Sequence, residues 1–303
     1  MKSILVLRPG AIGDALLAFP VLKALREQYD GTRITLVSNA QVLPLAQAFG
    51  VAEQTFDFQD IQWSELFSSN GIRTSSLRNL LEQTDLAICW MRDPDGIIEH
   101  NLKTSGVKHT IIAPGRPSAG VHLHVVDYLA RTIGLPDIGT KFFIPNRRQP
   151  EESPSASLEK RFVAIHPGSG AAEKCWPTSC FAEVIRRIWK QNYSVLLLAG
   201  PADTESVDDL LQQLPLSPKP EMLIVLAQAP LLEVAQHLQQ CRCYLGNDSG
   251  ITHLAAMLGI PTVAIFGPTD PKIWRPLGPF VKVLHEQTLE DVTVDVAIEY
   301  LDV

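Results

Sequence analysis

The sequence predicts an α/β protein of two halves, each a parallel sheet covered by helices. Three observations carry that reading. A length of 303 residues is about two domains' worth at roughly 150 residues each. Short apolar runs of strand length alternate with longer segments of helical periodicity. The periodicity lapses at residues 145–160, a polar, proline-containing stretch.

Residues 4–7 form the first expected strand, and Arg8-Pro9-Gly10-Ala11-Ile12-Gly13 has loop chemistry. Leu17, Val21 and Leu25 then recur at helical spacing; Pro20 falls in the second turn of that helix, where its missing N–H predicts a bend. Further strands are expected at 33–37, 86–90 and 110–113, and helices at 41–48, 73–82 and 122–133. The second half reads as strands at 162–165, 195–199, 223–225, 243–246 and 262–266, separated by helices at 178–190, 204–214, 231–239 and 251–258. The boundaries that follow are a domain at 1–149, a linker at 150–160 and a second domain at 161–288. Two such halves make a cleft between them the natural ligand site.

Composition narrows the class. Hydrophobic residues make up 46% and charged residues 19%, with 19 Gly and 22 Pro spread along the chain, which excludes a disordered or collagen-like protein. Lys and Arg total 26 against 33 Asp and Glu, and a net charge of −7 offers no general attraction to a polyanion, so nucleic acid is not an expected partner. Five cysteines, an odd number in a long chain, argue against a disulfide framework and fit a reducing cytosol. The apolar run at the start is halted by Arg8, too short for a secretion signal, so the mature chain is expected to begin at Met1. The stretch 251–266 contains His253, Gly259 and Pro261 and falls short of the ~20 apolar residues that span a bilayer, which leaves only peripheral membrane contact open.

Chemistry concentrates in three strand-to-helix turns. Gly246-Asn247-Asp248-Ser249-Gly250-Ile251-Thr252-His253 runs from a buried-type strand into a helix start, where backbone N–H groups and the helix dipole suit a phosphate. Gly246 and Gly250 would let a ligand approach, and Asp248 and Ser249 would equally serve as ordinary caps. An Asp beside a phosphate is unfavourable unless it binds something else, such as sugar hydroxyls. In His166-Pro167-Gly168-Ser169-Gly170, the span Gly168 to Gly170 can form an anion nest and Lys174 adds a point charge; the alternative is a solvated loop. Neither turn fits a Walker A or G-x-G-x-x-G pattern. In the first half, Asp14 follows Gly10-Ala11-Ile12-Gly13 and is either a base facing the cleft or a helix cap.

Three weaker patterns read as structure. Asp93-Pro94-Asp95 spells a cation-binding D-x-D but is also a turn sequence. His237, Cys241 and Cys243 lack a fourth zinc ligand and are assigned to packing. His122 and His124 lie on different faces of a helix start, and a surface role is assigned.

These residues resemble glycosyltransferase family 9, the ADP-heptose–lipopolysaccharide heptosyltransferases. The likeness rests on Gly13-Asp14 with Leu16 to Leu25, on His166-Pro167-Gly168 leading to Lys174-Cys175-Trp176-Pro177, on Gly246 to Ala256, and on Phe266-Gly267-Pro268-Thr269-Asp270-Pro271, in the family's order. Val126-Asp127-Tyr128-Leu129 to Gly134-Leu135 is a similar middle segment. The resemblance implies a GT-B type fold: two Rossmann-like domains facing each other across a cleft, the first taking the acceptor and the second the nucleotide-sugar, with a last helix within 289–303 returning to the first domain.

The implied reaction is inverting transfer of a heptose-like sugar from an ADP-sugar to the core oligosaccharide of lipopolysaccharide or a related glycan, at the cytoplasmic face of the inner membrane. No cofactor or metal is implied. Asp14 aligns with the family's base, Lys174 with its diphosphate lysine and Asp248 with the acid on the donor sugar. Ser249, Gly250 and Thr252 match the helix start near the phosphates, and Gly168, Ser169, Gly170, Asn247 and His253 complete the donor-binding candidates. Gly13, Arg8, Arg92 and Arg116 are the acceptor-side candidates, each arginine being equally well a solvated surface residue. Cys175 stands where the family often has a basic or polar residue, which bears on donor specificity. The rival readings are a nucleotide-sugar epimerase or hydrolase on the same architecture, and a silent nucleotide-sugar-binding protein.

Overall fold

A computed structural model describes residues 1–139 and 161–303. The expected linker at 150–160, and the end of the first domain beyond residue 139, lie outside the described residues. The chain divides into two compact units, Met1–Gly139 and Thr140–Val303.

The first unit runs β1 (Ser3–Arg8), α1 (Ile12–Leu16), α2 (Phe19–Gln28), β2 (Arg33–Ser38), α3 (Leu43–Ala48), β3 (Gln54–Asp57), α4 (Ser75–Glu82), β4 (Leu86–Cys89), α5 (Ile97–Thr104), β5 (His109–Ile112) and α6 (Val125–Thr132). Its strands form one sheet in the order β3-β2-β1-β4-β5, every neighbouring pair parallel. Leu5, Leu7, Val37, Ala87 and Cys89 pack with Trp63, Leu77 and Ile98 in its core, as continuous apolar runs do in a parallel sheet covered on both faces.

Pro20 breaks the first helix rather than bending it. Without an N–H it cannot bond to Leu16, so α1 stops there and α2 restarts with Pro20 in its first turn, where no such bond is needed. His124 also departs from expectation: it is buried and caps α6, its Nδ1 accepting from Val126 N–H at 3.3 Å.

The second unit runs β6 (Phe162–His166), α7 (Thr178–Lys190), β7 (Ser194–Ala199), α8 (Thr204–Gln213), β8 (Leu223–Ala227), α9 (Leu231–Leu238), β9 (Cys241–Asn247), α10 (Gly250–Met257), β10 (Thr262–Phe266), α11 (Pro271–Trp274), β11 (Val281–His285) and α12 (Val294–Leu301). The sheet order is β11-β10-β9-β6-β7-β8, again all parallel. Counted from each unit's first strand, the orders are 3-2-1-4-5 and 3-2-1-4-5-6, so both units are Rossmann-like.

The final helix packs within the second unit. Ala297 and Leu301 of α12 are buried with Ile185 and Ile188 of α7 in the second unit's own core, and Val294, Ile298 and Tyr300 pack around them. The apolar stripe of α12 thus already has its partner.

Each strand order reverses once, between β1 and β4 in the first sheet and between β6 and β9 in the second. At such a reversal the loops leaving the two strands diverge and open a crevice beyond their carboxyl ends, the place where open α/β sheets bind ligands. The turns singled out from sequence, after β1, β6 and β9, all stand at these two points.

Candidate active site

At the reversal of the first sheet the chain leaves β1 through Gly10, whose φ of 132° favours glycine and whose missing Cβ would lie 3.1 Å from Asp14 Oδ2. Ser38 Oγ donates to the Arg8 carbonyl at 2.5 Å and Asn39 Nδ2 to the Gly10 carbonyl at 3.3 Å, which ties the turn to the end of β2. Asp14 stands in the first turn of α1, while the capping position belongs to Ala11. Its Oδ1 accepts from Arg8 Nη2 at 3.0 Å, and its backbone carbonyl accepts from Arg8 Nε at 3.2 Å. Arg8 is 5% exposed against 33% for Asp14, so a buried guanidinium backs a carboxylate that reaches solvent. Burial pulls the Arg8 pKa down while the charge and hydrogen bond of Asp14 hold it up. Arg8 is therefore not a surface arginine. Arg92 and Arg116 are exposed, and Gly13 lies within α1.

At the reversal of the second sheet, Lys174 Nζ meets Asp248 Oδ2 at 2.8 Å, Ser169 Oγ donates to the Asp248 carbonyl at 2.8 Å, and His253 Nε2 lies 3.9 Å from Asp248 Oδ1. Ser249 caps α10 by accepting from Thr252 N–H at 3.4 Å, which leaves Gly250 as the first helical residue. Gly170 is exposed and a Cβ there would meet nothing within 4 Å, so its backbone is open to a ligand. The arrangement offers an ammonium, an opposing carboxylate and the amino end of a helix, which suits a diphosphate bearing a hydroxylated group.

Two donor candidates turn out to support the site from beneath. Asn247 is fully buried: its Nδ2 donates to the Pro167 carbonyl at 2.6 Å and its Oδ1 accepts from Trp176 N–H at 3.0 Å, clamping both ends of the lysine loop to β9. Thr252 is equally buried, with its Oγ1 bonded to the Asn247 carbonyl, to Tyr244 Oη at 2.9 Å and to Ser249 Oγ at 3.1 Å. Two glycines are likewise explained by protein atoms. A Cβ on Gly168 would fall 1.9 Å from Asp203 Oδ1, and one on Gly246 would fall 2.3 Å from Tyr244 Oη.

Sequence reasoning missed Asp203. It occupies the residue before α8, a position that reads as a helix cap, yet its carboxylate makes no capping bond. Oδ2 instead bonds His166 Nε2 at 2.8 Å and accepts from Gly200 N–H at 2.7 Å, while His166 Nδ1 lies 3.2 Å from Ser249 Oγ. Burial pushes the Asp203 pKa up, but His166 and the Gly200 N–H outweigh it and leave the carboxyl below its ordinary value. A hydrogen-bonded chain Asp203–His166–Ser249–Thr252–Tyr244, buried except at Ser249, thus underlies the start of α10.

The weaker patterns serve structure. Both carboxylate oxygens of Asp93 accept backbone N–H groups at the start of α5, from Ile98 at 3.1 Å and Glu99 at 2.9 Å. Cys241 Sγ donates to the His237 carbonyl at 3.4 Å and Cys243 belongs to the core. Among the described residues no group of three or more His, Cys, Asp or Glu is set to hold a metal ion, and no helix is long and apolar enough to cross a membrane.

Two Rossmann-like units, with the Asp14 carboxylate at one sheet reversal and the Lys174–Asp248 pair beside a helix start at the other, have the architecture of a glycosyltransferase of the GT-B type. Residues 123–295 match the model of glycosyltransferase family 9 (heptosyltransferase), and the chain belongs to that family. It is 21% identical to lipooligosaccharide heptosyltransferase 2 of Haemophilus influenzae, over 99% of this chain and 98% of that protein. Its fold is similar to that of Escherichia coli ADP-heptose lipopolysaccharide heptosyltransferase II, with a TM-score of 0.75 and 22% identity over 100% of this chain and 98% of the other. A family 9 glycosyltransferase from Veillonella parvula gives a TM-score of 0.76 at 20% identity, over 99% and 96% of the two chains.

Proposed function

We propose that this enzyme transfers a heptose-like sugar from an ADP-sugar to the core oligosaccharide of a lipopolysaccharide or a related glycan, with inversion at the anomeric carbon. The names of its relatives support the donor and acceptor classes. The observation that carries the reading is the Lys174–Asp248 pair beside the amino end of α10 at the sheet reversal.

In this reading Asp14 takes the proton of an acceptor hydroxyl as its oxygen attacks the anomeric carbon; the bond from that carbon to the diphosphate breaks and ADP departs. Negative charge grows on the diphosphate, so Lys174 and the N–H groups at the start of α10 stabilise the transition state more than the bound donor, the task a divalent cation performs elsewhere. Asp248 bonds donor sugar hydroxyls. Arg92 and Arg116, being exposed, remain candidates for acidic groups of the acceptor, which is lipid-anchored and met at the inner face of the inner membrane.

Thermal shift with ADP-, UDP-, GDP- and dTDP-sugars, followed by a transfer assay, tests this. Preferential stabilisation by the ADP-sugar and acceptor-dependent ADP release are expected. ADP release without acceptor would make the protein a hydrolase, and binding without turnover a silent receptor. Asp14→Asn is expected to lower transfer by about 10²- to 10⁴-fold while leaving ADP binding intact, and undiminished transfer removes the base.

A further inference from the structure

Arg8 grips Asp14 at two points, from Nε to the backbone carbonyl and from Nη2 to Oδ1, so the planar fork fixes the side chain's direction as well as its charge. Oδ2 is left without a hydrogen-bond partner among the described residues. The guanidinium is housed by a residue distant in sequence: a Cβ on Gly115 would lie 2.1 Å from Arg8 Nη1 and 2.8 Å from the Trp90 carbonyl. Trp90 is itself anchored, its N–H to the Leu7 carbonyl at 3.0 Å and its Nε1 to Thr132 Oγ1 at 3.0 Å. The cation therefore sits in a seat built from β1, the end of β4 and the loop after β5, with the carboxylate as its polar lid. Burying a guanidinium costs stability unless it is paired, and one buried solely for the fold would be as well served by an apolar side chain.

We propose that Arg8 is a positioning residue: held in the seat that Gly115 leaves open, it aims the Asp14 carboxylate so that Oδ2 receives the acceptor proton. The proposal rests on the reading of Asp14 as base.

A double-mutant cycle on the full chain, with ADP-sugar donor and glycan acceptor, is the test. Arg8→Met is expected to lower kcat about 10- to 100-fold with the donor KM unchanged. Added to Asp14→Asn, it is expected to cost less than about twofold more, because groups acting as a unit are not additive. Arg8→Lys, which keeps the charge without the fork, recovers part of kcat, and Gly115→Ala reproduces part of the loss. A crystal structure of Arg8→Met is expected to show the Asp14 carboxylate swung from its place. Full kcat in Arg8→Met, additive losses in the pair, or an unmoved Asp14 overturns the positioning role while the base stands. Wild-type turnover by Asp14→Asn alone overturns the base and this proposal with it. Should Arg8→Met not fold, Arg8→Lys and Gly115→Ala carry the same cycle.

Discussion

Lys174 reaches across its loop to Asp248, Nζ to Oδ2 at 2.8 Å, and the lysine is the more accessible partner, 30% exposed against 7%. The cation proposed to meet a diphosphate is thus already engaged by a buried carboxylate. A phosphate that takes the lysine competes with that acid.

The competition predicts opposite effects from the two partners. Lys174→Met removes the cation and leaves buried Asp248 without its 2.8 Å partner; the half-open site moderates the cost to about 1–2 kcal/mol, and calorimetry should find ADP binding lost. Asp248→Asn releases the lysine, so ADP should bind as tightly as in the wild type or several-fold tighter while sugar transfer falls. Weaker ADP binding by Asp248→Asn would contradict this account.

Asp203 supplies a pH dependence. Its folded-state pKa lies below its ordinary value, so its contribution to stability is fully present above the unfolded carboxylate value of about 3.9 and is lost as pH falls through the folded value. Asp203→Asn should be destabilised relative to wild type at pH 7, and the gap should close in acid below about pH 4. Melting curves from pH 7 to pH 3 decide the matter; a gap that widens in acid would mean the pair is held some other way.

Gly168 predicts a steric effect. Its Cβ position is taken by the Asp203 carboxylate, so Gly168→Ala must displace the Asp203–His166 pair, at about 1–3 kcal/mol. Gly170→Ala has open space and should leave melting unchanged, while weakening the nucleotide if the backbone there is approached closely.

Burial pushes the Cys89 and Cys243 thiols up to about 12, so both should resist alkylation in the native protein. Cys175 and Cys180, partly exposed though also raised, should be the first to react. Mass spectrometry after brief iodoacetamide treatment distinguishes the sites.

Legibility followed locality. Strands such as β10 and helices such as α7 coincide with their expected bounds because apolar runs and helical periodicity are properties of a few neighbouring residues. Edge strands β3 and β11 were missed: β3 is half-buried throughout and β11 carries exposed Lys282 and His285, so neither shows a continuous apolar run. The helix α5 hid behind its own cap, since Asp93-Pro94-Asp95-Gly96 reads as a turn. Asp14, Lys174 and Asp248 stood out because each lies in a strand-to-helix turn. Asp203 precedes a helix too but did not stand out, because its meaning comes from His166, 37 residues away at the end of β6. Glycines showed the same limit. The sequence says that a Cβ is missing at 168 and 246, but only the assembled sheet says that Asp203 and Tyr244 fill the space.

Because α12 completes the hydrophobic interior of the unit in which it lies, the carboxy-terminal half keeps its own closing piece. That makes it an exchangeable cassette. Chimaeras that graft a relative's amino-terminal half onto this carboxy-terminal half, joined within the polar stretch at 145–160, would leave its core uncut, and evolution has the same seam at which to exchange one half against another.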